Sequence, residues 1–176
     1  MAATFQWGER NGAGETETLD RAEQNWKNID DSTTAYSSSP ITAGNNSFEK
    51  WVYGKFSGTF NTIAAGLWAH TAGAMGTGLT IKASPTMTVD ADRLAYATPS
   101  ATTNASLTLD ATSVIAIGSG KAVWFGATAP ATSGKAASMT TNPCYTNFLT
   151  NQLQTTGSAA AGDTATATMT LRYDES

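Results

Sequence analysis

The sequence predicts an all-β chain: a β-sandwich or jelly roll of about seven to nine short antiparallel strands, preceded by an extended N-terminal arm. Three observations lead there. Apolar and polar residues alternate in short runs, as on strands that bury one face. Clusters of Gly, Pro, Asn and Ser separate those runs and read as turns. No helical pattern of roughly 10–15 residues lies between them, which disfavours a parallel α/β fold, and no fixed-period repeat suggests a solenoid or propeller.

The arm is expected over residues 1–47 and the β-body over 48–176. The boundary falls within Ser37 to Ser47, where Ser-Ser-Ser-Pro and Ala-Gly-Asn-Asn-Ser read as loop. Charge marks the same division. Thirteen of the 24 charged residues lie in the first 55 positions, and the first 31 hold seven acids and three bases, equal to the chain's net −4. Leu19, Ala22, Trp26 and Ile29 recur at helical spacing. Gly12, Gly14 and the polar run from Asn28 to Thr34 favour instead an extended arm with isolated anchors at Phe5, Trp7, Trp26, Ile29 and Tyr36. Both readings stand on sequence alone. Fully extended, ~40 residues reach on the order of 130 Å, far enough to cross a neighbouring subunit, and the body is expected to fold without them.

Along the body, Trp51, Tyr53 and Lys55 oppose Val52 and Phe56 in a strand ending at Gly58, and Phe60 and Ile63 continue towards Leu67 and Trp68. Leu79 and Ile81 alternate with Thr80 and Lys82. Met87 and Val89 follow Pro85, which suits an edge or a strand start. Leu107 and Leu109 flank Thr108, and Val114–Ile117 and Val123–Phe125 are short apolar runs. The last strand is the clearest. Ala165, Ala167, Met169, Leu171 and Tyr173 share one face, and Thr164, Thr166, Thr168, Thr170 and Arg172 the other.

Composition narrows the function. Only 14% of residues are charged, against roughly 25% in average globular chains. Ala (30), Thr (30), Gly (16) and Ser (15) fill 91 of 176 positions, while Leu, Ile, Val and Phe total 25. Five Trp, five Tyr and six Phe supply the bulk of a lean core that completes its burial against neighbours. An acidic balance, with a pI near 4.8, argues against nucleic acid, which needs a basic face. No apolar run approaches the ~18 residues of a membrane span, and the first ten residues lack the features of a signal peptide. Cys144 is the only cysteine. It leaves no intrachain disulfide or thiolate zinc site and fits folding in a cytosol.

The chemical motifs fail one by one. His70 is the only histidine, and no Gly-x-Ser-x-Gly turn accompanies it. Gly118-Ser119-Gly120-Lys121 lacks the first glycine and closing hydroxyl of a phosphate loop, since Ile115 and Ala122 stand there. A hairpin turn into Val123 is the expectation. Asp90-Ala91-Asp92 opens like a calcium loop, but Ala95 and Ala101 replace its glycine and closing Glu. Asp20, Glu23, Asp30 and Asp31 lie in the polar arm, where solvation or a basic partner is the default. No catalytic residue, cofactor or metal site is therefore expected. Trp51 and Trp124 sit inside apolar runs and read as packing, whereas Trp7 and Trp26 in the charged arm suit docking on a partner.

Two stretches carry a resemblance. One runs from Ser47 and Phe48-Glu49-Lys50-Trp51 through Gly54-Lys55-Phe56-Ser57-Gly58 to Phe60-Asn61 and Trp68. The other runs from Gln152-Leu153-Gln154 through Ala161-Gly162-Asp163-Thr164 to Leu171-Arg172-Tyr173-Asp174-Glu175. Together they resemble small structural proteins of tailed bacteriophage virions. The resemblance implies a β-sandwich or jelly-roll body, no enzymatic activity, synthesis in the host cytoplasm and residence in the virion. It implies as partners the major capsid protein and neighbouring copies of the chain, as a capsid decoration (cement) homo-oligomer. A neck or tail ring component is the alternative, and a carbohydrate-binding module of a host-recognition device, using Trp7 or Trp68, is a further one.

Overall fold

The computed structural model describes residues 2–72, 75–83, 96, 99, 110–111, 121–128, 136–162 and 167–176. The strands are β1 (Ala3–Asn11), β2 (Thr16–Leu19), β3 (Lys50–Gly58), β4 (Ile63–Ala72), β5 (Leu79–Ala83), β6 (Asp110–Ala111), β7 (Lys121–Ala122), β8 (Phe125–Gly126), β9 (Ser138–Met139), β10 (Cys144–Thr146), β11 (Leu149–Thr155) and β12 (Ala167–Glu175). They pair antiparallel into two sheets. The larger runs β2-β1-β3-β11-β5-β6 with β10 bonded to β3 and β8, and the smaller runs β12-β4-β7 with β9 beside β4. Among the described residues the only helical geometry is one 3-10 turn, Tyr36–Ser38. The chain is all-β, as its alternation predicts, and the two sheets are consistent with a sandwich. The expected strands at Met87–Val89, Leu107–Leu109 and Val114–Ile117, the Asp90-Ala91-Asp92 run and Gly118–Gly120 lie outside the described residues.

The arm is where structure departs from expectation. Eight consecutive pairs, from Ala3↔Gly58 to Arg10↔Trp51, place β1 inside the large sheet beside β3. Residues 1–47 are therefore not a detachable arm, and position 48 does not separate two bodies. The physical reason lies in alternation that charge disguises. Phe5, Trp7, Glu9 and Asn11 face inward and Gln6, Gly8 and Arg10 outward, and the inward Glu9 and Asn11 are buried despite their polarity. Nor does the spacing from Leu19 to Ile29 yield a helix. Asp20 takes a positive φ of 57° just after β2, and the chain continues irregularly to Glu49.

Register decides which side chains meet. On the inner face Phe5, Val52, Phe56 and Leu149 pack with Ile63, Trp68, Val123 and Phe125 into the main core, against Met169, Leu171 and Tyr173 of β12. Trp51, Tyr53 and Phe148 form a second cluster on the opposite face of β3, with Leu19, Tyr96 and Tyr145 beside it. A third joins Met75, Ile81 and Leu153 to Trp26 and Ile41. Gly66 in β4 is fixed by close approach, since a Cβ there would meet Val123 at 2.4 Å and the Phe125 ring at 2.6 Å.

Candidate interaction surface

Between β2 and β3 the chain forms a strap, residues 20–49, laid along β11. Its end is knitted to that strand: Ser47 N–H donates to Leu153 O at 2.8 Å, Leu153 N–H to Ser47 Oγ at 3.0 Å and Gln152 Nε2 to Ser47 O at 2.9 Å. In its middle, Trp26 Nε1 donates to Asn151 Oδ1 at 2.8 Å, and Asn151 Nδ2 to Gln24 Oε1 at 3.1 Å. These bonds satisfy polar groups that β11 turns toward the inside.

From this anchored base a loop projects. Asn28 N–H donates to Ser39 O at 2.9 Å, which closes residues 28–39 into a compact loop whose ends meet. Its brace is ionic. Lys27 Nζ, nearly inaccessible, reaches Asp31 Oδ1 at 2.5 Å and Thr34 O at 2.6 Å. Asp31 in turn accepts from the Thr33 and Thr34 amides and the Thr34 hydroxyl. Burial pushes the Asp31 carboxyl up, but the hydrogen bonds from Lys27 and Thr34 and the nearby ammonium charge outweigh it and hold it well below the usual carboxylate range. Ile29 and Tyr36 project from this loop, 39% and 47% exposed, the large hydrophobic residues left accessible among the described ones.

A cleft of about 1040 Å³ opens between strap and sheets. Trp7, Trp26 and Tyr36 line it together with Arg21, Gln24 and Met169. Gln24 Nε2 is buried there without a hydrogen-bond partner.

The five expected contact residues thus separate. Phe5 and Trp7 are not free anchors: they meet edge to face, ring centroids 4.9 Å apart, and both pack on the main core. Trp26 is half-buried against the third cluster, and only Ile29 and Tyr36 stand outward. Trp68 is 0% exposed and unable to stack on a sugar. His70 lies on β4 opposite Met169. Cys144 is buried and free, and burial pushes its thiol up to about 11. Sequence reasoning missed Glu9, Asn11, Lys27 and Lys50, polar groups that fasten the strap, and read Asp31 only as solvated or facing a basic partner, which proves to be Lys27 of the same chain. The four-residue spacing of Lys27 and Asp31 was the one available signal.

Among the described residues no group of three or more His, Cys, Asp and Glu could hold a metal ion, and no helix is long and apolar enough to cross a membrane. No family model, curated protein or solved structure matches the chain.

Proposed function

We propose that this chain is a structural protein of a tailed-phage virion, a capsid decoration protein that binds the assembled head and stabilises contacts between major capsid subunits. The observation that carries the proposal is the loop 28–39, which holds Ile29 and Tyr36 outward on a base already closed and ionically braced. A contact carried on a loop already closed avoids the cost of ordering that loop on docking. A ligand that binds only the assembled shell stabilises it by mass action. The resemblance over residues 47–68 and 152–175 points the same way.

The test is occupancy of purified heads by the doubly substituted Ile29→Asp, Tyr36→Asp chain. Two charges set against an apolar seat should reduce binding at least about tenfold, the equivalent of ~1.4 kcal/mol, while circular dichroism stays unchanged. Wild-type occupancy would refute the loop as the contact. Copy number separates decoration from a neck or tail ring.

A glycan-binding reading is favoured by the cleft, which Trp7, Trp26 and Tyr36 line beside the buried, unpartnered Nε2 of Gln24. Glycan-array binding that disappears in Tyr36→Ala and Gln24→Ala would support it, and an array blank with the wild-type chain would remove it.

A further inference from the structure

On the inner face of the large sheet, beyond the aromatic core, three polar side chains stand where a sandwich normally places apolar ones. Glu9 is 0% exposed, Lys50 1% and Asn11 5%. The β1–β3 register that pairs Arg10 with Trp51 sets Asn11 opposite Lys50, so both side chains leave the sheet on the same side. One carboxylate oxygen joins them: Lys50 Nζ lies 2.9 Å from Glu9 Oε1, and Asn11 Nδ2 lies 2.9 Å from the same atom.

We propose that Lys50 and Asn11 become joined by an intramolecular isopeptide bond, with Glu9 as the catalytic proton carrier. A buried amine, a side-chain amide and a carboxylate touching both nitrogens are the parts that aminolysis of an amide requires. Proton transfer along the Nζ–Oε1 contact supplies the neutral amine that attack requires and leaves the proton on Glu9. Nζ then attacks Cγ of Asn11. A new C–N bond forms, the bond from Cγ to Nδ2 breaks, and the proton held by Glu9 is delivered to Nδ2 across the second 2.9 Å contact. Nζ, now bonded to Cγ, passes its surplus proton to the freed Glu9 carboxylate as it becomes an amide nitrogen. Nδ2 leaves as ammonia, which takes this second proton and departs as ammonium. No electrons are exchanged, so no oxidant or reductant is needed. Arg21 Nε, 3.5 Å from Glu9 Oε2, leaves the carboxylate paired after Lys50 has lost its charge.

The surroundings select this pair. Asn151 flanks Lys50 on its other side in the sheet, but its amide is engaged by Trp26 and Gln24. Asn11 precedes Gly12, a dipeptide prone to closing on itself as a succinimide, yet the Gly12 N–H that would attack donates to Asp30. Asp30 also accepts from Asn11 Nδ2 at 2.9 Å and so turns the leaving nitrogen toward the carboxylates. Holding reactants in this geometry is the main contribution a folded chain makes to such a step.

The test is intact mass spectrometry of the purified full-length chain after incubation at neutral pH, followed by tryptic mapping. The expected mass falls short of the sequence by one ammonia. The digest should contain residues 11–21 joined to residues 28–55, with no cleavage at Lys50. Lys50→Arg and Glu9→Gln should each show their full sequence mass and no linked peptide. A wild-type chain of full mass overturns the proposal, and so does an ammonia loss that maps to an unlinked 11–21 peptide. A link that survives Glu9→Gln overturns the role of Glu9. If either variant fails to fold, the wild-type mass and map decide alone.

Discussion

Side chains of opposite character hold this protein together at the residue scale. Trp68 is fully enclosed between the sheets, and its replacement by alanine should cost ~3–5 kcal/mol in denaturant unfolding. A loss under 1 kcal/mol would mean that the site is not the packed core described. Asp31 makes a prediction with a definite sign. Folding lowers its pKa, so its contribution is complete above the ordinary value of 3.8 and is lost only as pH falls through the lower folded value. The Thr34 amide, followed by NMR, should keep its bonded shift down through that ordinary value and change only in stronger acid. A transition above it would show that Lys27 and Thr34 do not hold the carboxylate. Of these residues, Trp68 was legible as apolar bulk, and Trp51 and Trp124 were expected to pack inside apolar runs. Glu9, Asn11 and Lys50 were not legible. A charge in a sequence reads as solvated, and only the register between two strands about forty positions apart brings its partner.

Elements show the same boundary between local and distant information. Period-two alternation located β3, β5 and most of β12, because each carries its own inward face. β1 escaped because its inward row ends in Glu9 and Asn11, so burial there depends on Lys50, Arg21 and Asp30. Its removal has a consequence opposite to that of removing an arm. A chain lacking residues 1–11 should lose cooperative unfolding altogether, since β3 would be stripped of its long β1 partner and Phe56 of its Phe5 contact. A truncated chain with native near-ultraviolet dichroism would restore the arm. The loop at 28–39 behaves differently, since the bonds that order Thr33 and Thr34 come from Asp31 within it. Asp31→Ala should loosen Thr33 and Thr34 to hydrogen exchange while the strands keep their protection.

Two antiparallel sheets consistent with a lean sandwich make up the described molecule, and the strap from residue 20 to 49 is bonded to β11 of the larger one. Few charges and abundant Ala and Thr limit self-repulsion, and among the described residues the two exposed large apolar side chains gather on one closed loop. Overall class was readable because alternation is a property of the chain itself. The strap was not, because its course is set by bonds to Asn151, Gln152 and Leu153 more than a hundred residues away. The decisive measurement is a cryo-EM map of the virion proposed to carry this chain. The proposal predicts many copies across the head, each with Ile29 and Tyr36 seated where major capsid subunits meet. Density that leaves both side chains in solvent, or finds the chain absent from the head, would contradict it.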